Sequence, residues 1–421
     1  MRGFRGLTHQ RDFTLLWVGE TISELGSRVS MFVFPLIAYA QTHSTLAAGL
    51  AETANLLGVA AMLLPAGVLA DRFDRCRIMR WASAAGLILY LSLVVAIGLH
   101  RLTLVHLVAV ALGTGLAAGA FSPAEVSAVR SVVPTDLLPT ALAQNQARQH
   151  VASLVGGPIG GALYGLTRWM PFAADAVSYA VSWVLLGRIR TDLTAPVHAE
   201  PRRRVRTEFA EGVRFAVERP FFRVLLVWAP LLNLTINAIS FTAVLRLIQA
   251  GRSPVQIGLV ETAAGICGIA GAICAPRVVN AVPTGLLTVL VGWSWVPLAV
   301  PLMFFNTPLA AAVSLSVGIF LNPAGNSGIG AYRLHITPPE LVGRVQSVSQ
   351  FVSYLLLPLY PVVAGLALHR LGGPQAIALL IVLTAGVAFI PTLSHAVRSV
   401  PRPVEWPPTA RTTKEVAASD R

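Results

Sequence analysis

Gly49-Leu50-Ala51-Glu52-Thr53-Ala54 comes back about half the chain later as Gly258-Leu259-Val260-Glu261-Thr262-Ala263, with Val260 for Ala51 as the one change. A weaker echo pairs Val133-Pro134-Thr135-Asp136-Leu137 with Thr337-Pro338-Pro339-Glu340-Leu341 at nearly the same offset. Each copy opens an apolar run, so the chain reads as two parallel halves of like construction. Of the 421 residues 55% are hydrophobic and 12% charged, with a mean hydropathy of +0.67; a soluble domain carries about 25% charged residues. So few charges cannot cover a globular surface in water, and much of this surface must face lipid.

A helix that crosses a bilayer needs ~20 apolar residues. Runs of that kind fall at 13–40, 46–70, 78–98, 102–124, 141–166, 170–187, 221–245, 255–276, 283–304, 308–331, 343–368 and 373–394. The predicted fold is therefore all-α and integral to the membrane, with twelve transmembrane helices in two six-helix halves. Residues 1–12 form the N-terminus, 13–187 the first bundle, 188–220 a linker, 221–394 the second bundle and 395–421 a Pro-rich polar tail that is expected to be disordered. The run from Phe13 is too long for a signal peptide and carries Glu20, Glu24 and Arg28, so it reads as a retained first span.

The net charge of +13 raises the question of nucleic acid, and the placement of the arginines answers it. They gather in alternate loops, as at Arg72, Arg75, Arg77 and Arg80 and again at Arg202, Arg203, Arg204 and Arg206, while the loops near 43, 101, 168 and 370 hold one or none. That alternation is what the positive-inside rule produces, and it puts both termini in the cytoplasm. No nucleic-acid partner is expected. In the linker, Phe209, Val213, Phe215 and Val217 alternate with Glu208, Glu211, Arg214 and Glu218, the pattern of an amphipathic helix on the membrane surface or of a solvated linker helix. Cys76, Cys267 and Cys274 have no metal-type spacing, the nine histidines form no H-E-x-x-H pattern, and no Walker-type phosphate loop occurs. No metal, cofactor or enzymatic chemistry is expected.

Gly67-Val68-Leu69-Ala70-Asp71-Arg72-Phe73-Asp74-Arg75-Cys76-Arg77 resembles the G-x-L-a-D-R-x-x-R-r loop motif of the major facilitator superfamily, between spans two and three. Gly156-Gly157-Pro158-Ile159-Gly160-Gly161 resembles the G-P-x-x-G-G motif of drug:proton antiporters. Phe121-Ser122-Pro123-Ala124 and Glu340-Leu341-Val342-Gly343-Arg344-Val345 are similar to the bacterial branch that contains macrolide-efflux proteins and the enterobactin exporter. The resemblance covers residues 10–395. It implies a major facilitator fold with the substrate between the halves near the midplane. It also implies a bacterial inner-membrane protein, monomeric, that exports amphipathic small molecules such as drugs, macrolides or siderophores against a proton gradient. Uptake or uniport of a small metabolite, and a non-transporting membrane sensor, are the rival readings. Two departures are plain: Pro276-Arg277-Val278-Val279-Asn280 stands where the second half should repeat the loop motif, and Val108-Ala109-Val110-Ala111-Leu112-Gly113 replaces the arginine that many drug antiporters hold in the fourth span.

Ionisable groups in a span cost at least ~2.5–3.5 kcal/mol each on insertion scales, so they mark a cavity or a partner. Glu20, Glu24 and Arg28 share one face of the first span; they are either a neutral structural set or a site for a proton and a cationic substrate group. The resemblance makes spans one, four, seven and ten line the cavity. Asn233 with Asn237, and Asn322 with Asn326, then present amides one turn apart for a ligand or for helix-to-helix bonds. Glu52 and Glu261, at matching places in the repeat, read as helix contacts or caps ahead of proton coupling. Asp175 reads as an interfacial residue. The resemblance further implies that Asp71 seats against the eleventh helix, that Arg72 and Arg75 reach Glu125 and Asp136, and that this latch, with Gly67 in its turn, gates the cytoplasmic side. Gly156, Pro158, Gly160 and Gly161 allow close packing and a bend.

Overall fold

The computed structural model describes residues 10–62, 65–134, 137–194 and 205–406. Among the described residues all regular structure is helical, and nine helices are long and apolar enough to cross a membrane. They are the second span (Thr45–Met62), third (Arg75–Gly98), fourth (Leu104–Val132), seventh (Pro220–Gln249), eighth (Pro254–Ala281), ninth (Thr284–Phe304), tenth (Pro308–Ile336), eleventh (Pro339–Leu371) and twelfth (Gly373–Leu393). Three more helices complete the twelve. Arg11–Thr42 is the first span, whose charged residues dilute its apolar character; Leu138–Leu166 is the fifth, with a polar stretch around Arg148; Met170–Leu186, the sixth, has 17 residues. Trp81, Ile88, Val105, Leu309 and Leu393 stand out from the bundle, each at least 66% exposed, a surface suited to lipid and not to water.

Within the first half, the first span packs on the sixth, fifth and second, and the third on the fourth and sixth. An aromatic cluster of Phe34, Tyr90, Phe172 and Tyr179 fills its centre, with ring centroids 5.6–6.2 Å apart. In the second half the seventh span packs on the twelfth and eleventh, and the eighth on the tenth. Two helix pairs join the halves, the fifth with the eighth and the second with the eleventh.

Glycine makes both joints. At Gly49 there is no room for a Cβ against the Pro361 carbonyl, and Gly258 abuts the backbone of Gly157 and Pro158. A methyl on Gly157 would stand 3.1 Å from the Gly258 Cα. Gly365 abuts Thr45, and Thr45 Oγ1 donates to the Gly365 carbonyl at 3.0 Å. The duplicated sequence thus supplies one sealing glycine to each joint. All these contacts lie in the halves of the helices remote from the chain termini.

Two expectations are overturned. The linker helix Val205–Glu218 is not a free solvated helix: it packs under the eleventh and seventh spans. Its Phe209 ring meets Phe351 at 5.7 Å, Phe215 meets Phe222 at 5.8 Å, and Glu211 pairs with Arg344. The apolar stripe is there as the sequence predicts, but protein covers it. The tail is also ordered as far as Trp406, because Val397 and Val400 are buried. The amides of Thr284 and Gly285 donate to Pro401 and Val400, and Trp406 packs on Tyr332 at 5.2 Å. Residues 407–421 lie outside the described residues.

Gly258→Leu would force a side chain into the Gly157 backbone, and overpacking of this kind costs ~1–3 kcal/mol. We expect the sealed population to fall about tenfold for each ~1.4 kcal/mol. Spin labels at Arg168→Cys and Arg252→Cys, after Cys76, Cys267 and Cys274 are replaced by Ser, should report longer distances in that variant; an unchanged distribution would mean the glycine contact does not hold the joint.

Candidate functional site

The buried chemistry falls into three groups. The first lies inside the first half. Arg148, on the fifth span, donates through Nη2 to Glu125 Oε1 on the fourth at 2.7 Å, with the two side chains only 2% and 11% exposed. Asn145 Nδ2 reaches the same oxygen at 3.4 Å. Glu20, itself buried, accepts from Ser182 Oγ at 3.2 Å and stands within electrostatic range of Glu125 and Arg148. Arg148 Nε and Nη1 are buried without a hydrogen-bond partner among the described residues. Two carboxyls and one guanidinium therefore share a buried space, with guanidinium donors to spare.

This arrangement corrects the assignment of Glu125. Its partner is Arg148, while Arg75 donates to Ser131 Oγ at 3.0 Å and to the Ala70 carbonyl at 3.4 Å. Arg75 thus ties the loop to the end of the fourth span by neutral groups. Gly67 sits in the loop helix Pro65–Arg72 with open space beside it. Asp136 and the side chains of Asp71 and Arg72 lie outside the described residues. Asp175 is fully buried and not interfacial: Ser178 Oγ donates to it at 2.9 Å, and its carboxyl lies against Gly26 of the first span.

The second group lines a cavity of about 180 Å³ shared by both halves, just beneath the glycine joints. Glu52, Glu261, Arg28, Tyr360, Phe32 and Phe241 face it, and it adjoins a cavity of about 370 Å³ that shares Glu261, Phe241 and Tyr360 and adds Asn237 and His150. The repeat acids make the helix contacts that the sequence suggested, Glu52 with Tyr360 and Glu261 against Gly157 of the opposite half, and they also face the cavity. Ser253 and Gln256 cap the eighth span, and the glycine three residues before each acid makes the backbone contact. One turn on, the carboxyls are left facing the cavity. Tyr360 Oη donates to Glu52 at 3.4 Å. Arg28 gives its Nε hydrogen to Glu24 at 2.9 Å, both side chains being partly exposed. Glu20, Glu24 and Arg28 lie along one side of the first span as their spacing predicts, yet Glu20 turns into the half-bundle while Arg28 reaches the shared cavity.

The glycine motif of the fifth span serves two neighbours. Gly156 and Gly160, one turn apart, lie against Arg28 and Val29 of the first span; Gly157 and Gly161 lie against Gly258 and Pro254 of the eighth. Pro158 sits between them inside the helix.

The third group is a cavity of about 340 Å³ within the second half, nearer the termini. Asn233, Asn322 and Asn326 line it as the sequence suggested, joined by Gln346, Gln350 and Arg333, which it did not. Asn233 Nδ2 also donates to the Ser353 carbonyl at 3.0 Å, a bond between the seventh and eleventh spans, and Asn237 Nδ2 bonds back to the Asn233 carbonyl at 2.8 Å. Arg148 could have been found by the rule that picked out Glu24, since it is an ionisable residue inside a predicted span, although its polar neighbours Gln144 to His150 mask it.

The family described as Major Facilitator Superfamily matches residues 16–355. Comparison with curated proteins finds no match. Among solved structures, a bacterial homologue of the human lysosomal transporter Spinster, inward-facing and unoccupied, superposes with a TM-score of 0.73 at 14% identity, covering 95% of this chain and 99% of that one. A bacterial homologue of the iron transporter ferroportin, inward-facing, gives 0.68 at 15%, covering 91% and 97%. The nucleoside transporter NupG gives 0.71 at 10%, covering 91% and 98%. At these identities the likeness is one of fold.

Removing one member of a buried ion pair leaves an uncompensated charge and costs ~3–5 kcal/mol. Arg148→Met should therefore lower the thermal midpoint of the purified protein sharply, and Glu125→Gln in the same chain should restore most of the loss. A double variant no more stable than Arg148→Met would show that the pair is not coupled.

Proposed function

The chain belongs to the major facilitator superfamily and is a membrane transporter of that type, and from its cavities we propose a secondary active exporter of amphipathic small molecules, driven by proton exchange. The carrying observation is the cavity walled by both halves, sealed at one end by glycine contacts and faced there by Glu52 and Glu261. With both termini in the cytoplasm of a bacterial inner membrane, the sealed end is the outer one and a monomer stands open to the cytoplasm. The exposed Gln346 and Gln350, which face the cavity near the termini, support that reading.

In the proposed cycle the substrate enters from the cytoplasm and lies between the halves, its apolar body against Phe32, Phe241 and Tyr360. The outer joints then part while the cytoplasmic side closes through the loop that begins at Gly67, where Asp71, Arg72 and Arg75 supply the latch. Glu20 is the coupling carboxyl, in place of the partly exposed and already paired Glu24. When Glu20 takes up a proton, a negative charge leaves the space it shares with Glu125 and Arg148, and the balance of charge on the fifth span changes. That span also carries Gly157 and Gly161 of the outer joint, with Pro158 as the bend between charge and seal. One helix thus links proton binding to opening, and protonation acts through a two-state element.

The test is uptake and release of labelled amphipathic compounds by vesicles holding the purified protein under an imposed pH gradient. Wild type should move substrate uphill, and an uncoupler should abolish this. Glu20→Gln should lose uphill movement at least about tenfold, which corresponds to ~1.4 kcal/mol, while keeping exchange down a substrate gradient. Equal uphill movement by Glu20→Gln would defeat the coupling assignment. Movement in the opposite sense would mark an importer.

A further inference from the structure

Two of the cavities differ in charge, and the difference names the substrate's ends. At the sealed end Glu52 and Glu261 make no ion pair among the described residues. Arg28 is close by, but its hydrogen bond goes to Glu24. Phe32, Phe241 and Tyr360 surround the two carboxyls, a setting in which carboxylates and ring faces both attract a cation. In the cavity nearer the termini the polarity is reversed. Five carboxamides, Asn233, Asn322, Asn326, Gln346 and Gln350, share it with Arg333, and no carboxylate lines it. Arg333 makes no ion pair among the described residues, its Nε is buried without a hydrogen-bond partner, and so is Asn322 Oδ1. Arg333 thus brings an unspent Nε donor and a positive charge among carboxamide N–H groups, which suits an anion, while Asn322 Oδ1 is left to accept from a donor.

The cavity of about 370 Å³ that shares Glu261 with the acidic one lies between them, and the same three helices line it and the Arg333 cavity at positions one or two turns apart. The seventh span gives Asn237 to the upper and Asn233 to the lower, the tenth gives Ile319 and then Asn322, and the eleventh gives Tyr360 and then Tyr354. One continuous wall therefore runs from acid to guanidinium, with Phe222, Leu225 and Trp228 of the seventh span supplying an apolar strip beside the lower amides. At ~1.5 Å per residue, Ile319 and Arg333 are about 21 Å apart along the tenth span.

We propose that the substrate is a long zwitterionic amphiphile, bound with its cationic end between Glu52 and Glu261 and its anionic end against Arg333. This rests on the reading of the cavity as the transport site and narrows the amphipathic class to molecules that carry both charges at opposite ends. A cation alone leaves the Arg333 guanidinium without a counter-charge, and an anion alone leaves Glu52 and Glu261 without one. The site discriminates by what each lacks.

The probe pair is 12-aminododecanoic acid and its methyl ester, which keep the ammonium and the chain and differ in the far negative charge. Binding of the tritiated compounds to the full chain in lipid nanodiscs is measured by equilibrium dialysis, with empty nanodiscs subtracted. Wild type should bind the acid at least about tenfold more tightly than the ester, a difference of ~1.4 kcal/mol. Arg333→Gln should abolish that preference by weakening the acid alone, Arg333→Lys should keep part of it, and Glu261→Gln should weaken acid and ester together. Equal affinity of wild type for acid and ester, or a preference that survives Arg333→Gln, overturns the zwitterion assignment and leaves the exporter reading standing. Binding of neither probe overturns both. The wild-type comparison stands even if a variant fails to fold.

Discussion

The backbone-to-backbone approach of the two halves at Gly157 with Gly258 and at Gly49 with Pro361 is the constraint on which the rest of the molecule depends. In lipid there is no hydrophobic gain in bringing one apolar helix against another, so close packing of small residues has to supply the attraction. Side chains would hold the halves apart and let water or lipid into the joint. With the joint shut at one end, the space beneath it becomes a cavity, and the carboxyls of Glu52 and Glu261 have somewhere polar to point. A joint made of two narrow contacts is also one that can part without unfolding either half.

The second constraint is the cost of charge in hydrocarbon, met differently in each half. The first half gathers its charges: Glu125 with Arg148, Glu20 beside them, Glu24 with Arg28. The second half lines its cavity with carboxamides and a single guanidinium. A carboxamide gives hydrogen bonds without taking up a proton, whereas a carboxyl can change charge. The two halves thus meet the same cost with different chemistry.

Much of this is legible in the sequence, and the losses have identifiable causes. The duplicated Gly-x-x-Glu-Thr-Ala segment announces the two halves, whereas the sealing role of its glycines shows only in the fold, where close approach leaves no room for a Cβ. The Gly156 to Gly161 stretch reads as packing, and its two faces follow from the spacing alone. Glu125 is misassigned from sequence because a loop motif names which charges are needed, not which neighbour the fold brings nearest; Arg148, one span on, is nearer than Arg75. Arg333, Gln346 and Gln350 escape notice because each lies near a helix end, where a polar residue looks like one facing solvent. The linker stripe and the ordered tail mislead for a common reason: an apolar periodicity predicts that a face is covered, and only the tertiary structure says by what.

The repeat acids show where internal symmetry stops being a guide. Sequence equivalence argues that Glu52 and Glu261 serve a shared structural role, since a site for an asymmetric ligand need not recur in both halves. In the folded chain their helices are equivalent but their surroundings are not. Tyr360 from the opposite half hydrogen-bonds Glu52, while Glu261 faces the wider cavity beside Asn237 and His150. Glu52 and Glu261 line the same cavity within electrostatic range of each other, so they belong to one site instead of two. Duplication therefore placed a pair of like charges at the end of the cavity, with the Arg28 guanidinium lining the same space. That end lies one turn from the glycine contacts that must open.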